Sequence, residues 1–524
     1  MPISRDGTGF GIEHPPSDTM LAPTSVRPIR PVCCVSAGLL CGVLFASLLL
    51  DQLLLWSFLG FAPWWLYLMG AGASIMIVAA ASRVALPRIA VRDLSLCFAV
   101  ALLLYLLGGE GRLFYANTDW QVRDAVLRDL SRYAWPFAYA EADGTSILRA
   151  PLGMYLVPAV AGKAFGAAAA DVALLLRHSA MLAILLALGT LLFPSGRARL
   201  GALAVFLAFS GLDVVGQIIV DALTGATMPD HLESWAGIQF SSHITQAFWV
   251  PQHALAGWIV ACLFLLWKEA RLPLGLFLAA VPLVGLWSPL ALMGALPFAV
   301  LAGVRTIADR ALRPADILLP AVATVLASPG LLYLTAGGGV VGIHLTALPI
   351  GRWLMFELVE IAPFVAAIAM LGAATGRNRA TFATILACLL AMPFIQVGNS
   401  VDFTMRASIP ALAILAVLTA RALQSVSAGD TVERRAWRAG LLVALAIGSV
   451  TGLFEIRRSL VYRPVQSSAC NLLGVFDRHY GGVRAATYLA PVAALPPPIR
   501  PRTFGQVREA PPARCWPGPW ATLR

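Results

Sequence analysis

Residues 115–130 read YANTDWQVRDAVLRDL, a polar stretch in a chain that is 59% hydrophobic and only 12% charged. Asp119 and Arg123 are four positions apart, as are Asp124 and Arg128, so a helix here sets each acid beside an arginine on one face. Val122, Val126, Leu130 and Tyr133 share the helical period on another face. That pattern predicts a helix lying in the membrane interface with its apolar stripe in lipid. A carboxylate at the head of such a helix, next to Trp120 at the membrane boundary, lies close to lipid headgroups with Arg123 as its partner. The bland alternative is that the pairs only solubilise a loop.

Further polar groups recur between apolar runs. The stretch MPDHLESWAGIQFSSHITQAFWVPQHALAGW (228–258) carries Asp230, His231, Glu233, His243 and His253. His and carboxylate side chains can ligate Zn²⁺ or Mn²⁺, but no HExxH-like spacing puts two of them on one turn, so a divalent metal stays an open alternative and no cofactor is assigned. His253 opens an apolar helix, where an imidazole can donate to phosphate or pass a proton; equally, it can be an interfacial His bonded to backbone. Asp213, in FSGLDVVGQ (209–217), sits within an apolar run, and an ionisable group there is a functional candidate by default. GNSVDFTMRASIPALAIL (398–415) sets Asp402 and Arg406 four apart just before another run. Arg406 and Arg352 have the planar, permanently charged fork that grips phosphate, though an Asp402–Arg406 pair explains Arg406 equally well. The glycines of TAGGGVVG (335–342) are not followed by GK[ST] and make no nucleotide loop.

The elements that hold these residues are membrane helices. A soluble chain carries about 25% charged residues, twice what is present here. The apolar runs lack the period-2 alternation of a transmembrane barrel. About 14 runs approach the roughly 20 apolar residues that a crossing needs, which predicts an all-α polytopic bundle with about 11–14 spans. The net charge of +11 comes mostly from arginines in short loops, where they orient helices and give no reason to expect nucleic acid. Arg83, Arg88 and Arg92; Arg197 and Arg199; Lys268 and Arg271; Arg305, Arg310 and Arg313; Arg377 and Arg379; and Arg434, Arg435 and Arg438 mark one side, expected to be cytoplasmic. The loops at about 110–150, 221–246, 336–352 and 397–407 then face outward across an inner (plasma) membrane. Residues 151–194 conflict with this alternation: either 152–167 is re-entrant or Arg197 and Arg199 break the rule.

Residues 1–32 are Pro-rich and expected to be disordered and cytoplasmic, 33–456 form the membrane domain, and 457–524 form an Arg/Pro-rich tail expected to be extended and solvated. Cys470 and Cys515 can pair if the tail lies outside the cytoplasm; the other cysteines read as small packing residues.

The order of an apolar helix, an outward loop with an early Asp, a WP dipeptide and a Pro-interrupted helix ending in KAFG (ILRAPLGMYLVPAVAGKAFG, 147–166) resembles the first outward loop of GT-C glycosyltransferases. It is similar to the lipid A aminoarabinose transferases and protein O-mannosyltransferases. The resemblance aligns Asp119 with the family's acid and RAPLGMYL (149–156) with the start of its next helix. Where that family often shows two adjacent acids, Asp119 is followed by Trp120. The resemblance implies a GT-C-like bundle with interfacial helices in the first outward loop. It also implies a polyprenyl-phosphate-linked sugar donor in the lipid and inverting transfer at the outer face, with Asp119 as general base. Arg123, His253, Arg352 and Arg406 are the candidates for the donor phosphate, and Asp213, Asp230, His231, Glu233, His243 and Asp402 for other polar parts of the site. A flippase or secondary transporter for a lipid-linked substrate is the competing class, and a noncatalytic membrane scaffold the third.

Overall fold

The computed structural model describes residues 33–523 apart from 142–143, 195, 226–230, 339–341, 399–400, 428, 481–487 and 509–511. Residues 1–32 and Asp230 therefore lie outside the described residues. The described chain is a helical membrane protein. Ala37–Phe58, Trp64–Ser82, Ala167–Thr190, Gly196–Thr224, Pro289–Ala308, Pro314–Thr335 and Val432–Val461 are seven helices long and apolar enough to cross a bilayer. The pair Ile350–Glu360 and Ala362–Met370, bent by 53°, makes an eighth if it is one broken span. Other apolar runs form shorter helices, among them Leu156–Phe165, Leu274–Leu286 and Ile409–Gln424. Local sequence sets the helix starts. Pro occupies the first turn of Pro251–Lys268, Pro289–Ala308 and Pro314–Thr335, where its missing N–H is no loss. Ser36, Ser242, Ser288 and Thr431 cap their helices through the side-chain oxygen.

The loops collect at two ends. At one end the basic loops meet: Cys34–Ser36 pairs with Arg88–Ala90, Arg421 with Glu269 at 2.8 Å, and Lys268 with Asn378. At the other end lie the polar loops, and the alternation expected from the arginines places them there. Leu156–Phe165 decides the conflict over residues 151–194. Ten residues rise only about 15 Å, half of the hydrocarbon thickness, and this helix packs on Trp120–Arg132 and back along Ala167–Thr190. Residues 151–166 thus dip in and return, so Ala167–Thr190 alone makes the crossing.

The first polar loop and the tail form one folded cap. Strands Phe137–Glu141 and Gly144–Leu148 make a hairpin; Leu489–Pro491 pairs antiparallel with the second and Gly505–Val507 parallel with the first. Cys470 and Cys515 are disulfide-bonded, and Trp516 and Trp520 are buried. The expectation of an extended, solvated tail is thus corrected: its aromatic residues find apolar partners in the first loop. Asp129, fully buried, joins three parts of this cap. It accepts from the Tyr139 hydroxyl (2.7 Å), the Leu472 N–H (2.8 Å) and Arg128 (2.8 Å).

The helix Trp120–Arg132 also departs from expectation. Val122, Val126 and Leu130 are buried against protein rather than lipid, because the dipping segment and the tail cover them. Asp124 pairs with Arg112 at 2.8 Å, not with Arg128, which turns to Asp129. Of the cysteines outside the disulfide, Cys41, Cys97, Cys262 and Cys388 are buried as expected, whereas Cys33 and Cys34 are exposed.

Candidate functional site

Asn117 fixes the start of the polar helix. Its Nδ2 donates to the Phe248 carbonyl at 2.7 Å and its Oδ1 accepts the Asp119 N–H at 3.0 Å. Trp120 Nε1 donates to the same carbonyl at 3.1 Å. Asp119 is thereby tied to the short helix His243–Trp249, yet its side chain stays 42% exposed. Arg123 sits below it with 4% exposure and donates to Asp119 Oδ2 at 3.3 Å. Its guanidinium lies 5.5 Å from the Trp120 ring centre, close enough for a cation–π contact. Its Nη1 has no hydrogen-bond partner among the described residues. Burial opposes the charge on Arg123, but Asp119, Tyr155 and Tyr488 outweigh it and hold the group firmly protonated.

A second ion pair approaches from the helix Asp402–Ala407. Arg406 Nη2 donates to Asp402 Oδ1 at 3.0 Å, and Arg406 Nε has no partner among the described residues. Both pairs act electrostatically on Tyr488, which the tail supplies. Burial raises the Tyr488 phenol; Arg123 opposes this, Asp119 adds to it, Arg406 opposes and Asp402 adds. Both carboxylates and both guanidinium groups thus lie within electrostatic reach of one side chain. Tyr155, at the head of the dipping helix, is raised by burial and feels Arg123 and Tyr488. His253 lies within reach of Arg406 and Arg123, but its Nδ1 is bonded to Ser288 Oγ at 2.7 Å. That hydroxyl also caps Pro289–Ala308, so the imidazole is held by a side chain rather than by backbone.

The dipping segment is held from below. Asp51 and Arg177, both inside spans, pair at 2.6 Å. Arg177 Nη1 donates to the Gly153 carbonyl at 3.0 Å, and Trp287 Nε1 donates to Asp51 at 2.8 Å. A Cβ on Gly153 would lie 2.2 Å from Trp287 Cδ1, so only glycine lets the chain pass the indole. Beside this pair, His178 Nδ1 meets Glu110 at 2.7 Å. Glu110 is raised by burial, an effect that His178 and then Arg123 reduce.

The remaining sequence candidates form a separate cluster or stand alone. Asp213 accepts from Ser210 and Thr451 at 3.0 Å each, and Glu360 accepts from Trp235 Nε1 at 2.9 Å. A Cβ on Gly211 would meet Glu360 Oε2 at 1.5 Å, so glycine admits this acid. Glu233 is fully buried, accepts from Gln239 and the Ser242 N–H, and is pushed up to about 7 by burial and by Asp213. His231 bonds Glu455 at 3.0 Å, and Glu455 also accepts from Trp249 at 2.8 Å. Burial opposes the His231 charge, but Glu455 and Glu233 raise it overall. His243 is bonded to the Phe206 carbonyl at 2.5 Å and packed by Phe206, Phe209 and Trp258. Arg352 is exposed on Ile350–Glu360, facing Gly237 at 3.9 Å from the Cβ position of that glycine. The three histidines expected to converge are thus engaged on different partners, and among the described residues no three His, Cys, Asp or Glu side chains are arranged to hold a metal ion.

Sequence reasoning missed Tyr488, Tyr155, Glu360 and the Asp51–Arg177 pair. Asp51 carried a readable signal as an acid inside an apolar run. Tyr488 carried none, since only the tail's fold brings it to the first loop.

Comparison with known proteins adds little. No protein-family model matches the chain, and no curated protein matches it. Among solved structures it is similar to the arabinofuranosyltransferase AftD from Mycobacteria, at 18% identity and a TM-score of 0.34, over 70% of this chain and 27% of that one. A mutant of the same enzyme gives 19% identity and a TM-score of 0.34 over 68% and 27%. The chain thus spans about a quarter of the length of the enzyme it matches. At this level the likeness assigns no fold or activity.

Proposed function

We propose that this protein is an integral-membrane glycosyltransferase that moves a sugar from a polyprenyl-phosphate donor to an acceptor hydroxyl, at the end of the bundle capped by the first loop and the tail. The carrying observation is the pairing of two partly open carboxylates with two guanidinium groups that each keep an unpartnered N–H. Unsatisfied donors of this kind favour an anion with several acceptor oxygens, and a phosphate supplies them. Asp119 takes the proton of the acceptor hydroxyl as its oxygen bonds to the anomeric carbon. The bond from that carbon to the phosphate oxygen breaks, the electron pair leaves with polyprenyl phosphate, and the configuration inverts. Arg123 and Arg406 stabilise the charge that grows on the leaving phosphate. His253, held by Ser288, lines the same space, and Tyr488 closes it from the tail. By the positive-inside rule this end faces outward, and a disulfide in the same cap fits an oxidising compartment.

Asp119→Asn tests the assignment in membranes supplied with a labelled polyprenyl-phosphate sugar. Loss of a general base lowers turnover by about 10²–10⁴-fold. Undiminished transfer by the variant would remove Asp119 from the role. Movement of the intact donor across the membrane without transfer would favour a carrier instead, the reading to which the intramembrane Asp51–Arg177 pair lends itself.

A further inference from the structure

The tail is strongly basic: residues 457–524 hold ten arginines against two acids, Asp477 and Glu509. Arg463, Arg478, Arg500, Arg502, Arg508 and Arg514 are exposed. These charges do not orient helices as those of the short loops do, because a long folded segment crosses the membrane largely regardless of its charge. They stand at the capped end, opposite the basic loops, and call for another account.

Two of them lie where the cap meets the membrane. Gly60 occupies the turn between the spans Ala37–Phe58 and Trp64–Ser82, and a Cβ there would lie 3.0 Å from Pro136 Cγ and 3.8 Å from Pro501 Cβ. Arg500 and Arg502, on either side of Pro501, are therefore held at the depth where two spans leave the hydrocarbon. Pro496, Pro497, Pro498 and Pro501 stiffen this segment. Arg500 also donates to the Ala493 and Leu495 carbonyls at 2.6 and 2.7 Å, so binding here orders little that is not ordered already. Lys163 reaches the same edge from the dipping helix. Its Nζ lies 5.0 Å from the Trp135 ring centre, and that ring stands edge-on to Phe58, the last residue of the first span, at 6.0 Å. Trp64 and Trp65, which begin the second span, are 71% and 50% exposed, and Phe165 is 83% exposed. Exposed aromatic rings at helix ends sit at the headgroup boundary. Among the described residues Lys163, Arg500 and Arg502 make no salt bridge.

We propose that this edge of the cap docks on anionic phospholipid of the leaflet it faces, with headgroup phosphates on Lys163, Arg500 and Arg502 and with Trp64, Trp65 and Phe165 at the start of the acyl chains. Charge complementarity selects the occupant: three cations without carboxylate partners, beside a bilayer, draw an anionic headgroup over a zwitterionic one. Such docking fixes the height of the cap over the bundle. The inference is independent of the transfer reaction.

Trp64 and Trp65 report on the lipid beside this edge. The full-length protein is placed in vesicles of phosphatidylcholine doped with dibromo-phosphatidylglycerol or with dibromo-phosphatidylcholine. The quenching due to these two rings is then obtained by difference from Trp64→Phe/Trp65→Phe. The brominated phosphatidylglycerol should quench that component at about fivefold lower mole fraction, the preference that one basic residue gives an anionic head. The preference should shrink at about 1 M salt, and Lys163→Gln/Arg500→Gln/Arg502→Gln should bring the two lipids to parity. Equal quenching by both lipids in the wild type, or a preference that persists in the triple variant, overturns the proposal. Equal quenching together with binding of soluble polyphosphate to the detergent-solubilised protein, lost in the triple variant, would make the surface a site for polyanions instead. Should the triple variant fail to insert, Arg502→Gln alone changes an exposed side chain with no protein partner among the described residues. It should still lower the preference, and an unchanged value overturns the proposal.

Discussion

Replacing Arg406 by alanine separates binding chemistry from folding better than any other change at the proposed site. Its side chain is 17% exposed and its visible partner, Asp402, is 38% exposed. Water can therefore reach the Asp402 carboxylate in the variant, and the lost pair is worth no more than about 1 kcal/mol of stability. The loss toward a phosphate is larger, since a hydrogen bond to a charged group contributes about 1.5–3 kcal/mol. That range lowers kcat/KM by about 10- to 150-fold. The donor diester carries one negative charge, and the departing monoester gains a second as the bond breaks. Arg406 therefore acts more strongly in the transition state, so part of the loss must appear in kcat rather than in KM alone. Arg406→Lys keeps the charge but not the fork and should fall between the two. The assay is transfer from a labelled polyprenyl-phosphate sugar over a range of donor concentrations, with melting of each variant alongside. A kcat/KM within twofold of the wild type in Arg406→Ala, with the fold intact, would refute the phosphate assignment.

Four further outcomes follow from contacts outside the reacting groups. Asp129→Asn keeps the shape but exchanges one acceptor oxygen for a donor in a fully buried site with three donors around it, and should destabilise the cap by about 2–4 kcal/mol, read as a fall in melting temperature. Cys470→Ser opens a loop of 45 residues, for which the chain-entropy relation gives about 4 kcal/mol; tail proteolysis should rise and transfer should fall as Tyr488 leaves the site. Gly153→Ala drives a methyl into Trp287, and should reduce transfer while melting, followed by tryptophan fluorescence, shifts downward. Glu233, raised from 4.5 to about 7 by burial and by Asp213, favours the folded state most when protonated. Its contribution is full below about 4.5 and lost as pH rises through about 7, so melting temperature should fall across that window and Glu233→Gln should flatten the slope.

What the sequence made legible is what depends on local spacing and on charge. The Asp119–Arg123 and Asp402–Arg406 pairs needed only the helical repeat, and both formed as read. Arginine placement sorted the loops onto two ends, because that signal is written along the chain rather than across it. The expected Asp124–Arg128 pair did not form, although its spacing was the same. Arg112, twelve positions from Asp124, takes that buried acid, while Arg128 is drawn to the fully buried Asp129 beside it in the chain.

The lipid-facing helix and the solvated tail share one physical reason for differing from expectation. Composition describes each segment alone, while the apolar stripe of Trp120–Arg132 and the aromatics of the tail cover one another. A stripe that would suit a bilayer suits Leu472 and Val475 equally well, and amphipathicity does not say which apolar phase a helix meets. The same mutual cover brings Tyr488 between two ion pairs that lie nearly three hundred positions apart in the chain. If the tail supplies that residue to the reacting space, removing it should cost catalysis as well as stability. Tyr488→Phe can separate the two, because it keeps the ring that packs on Phe476 and deletes only the hydroxyl, the part of the residue that Arg123 and Arg406 influence electrostatically.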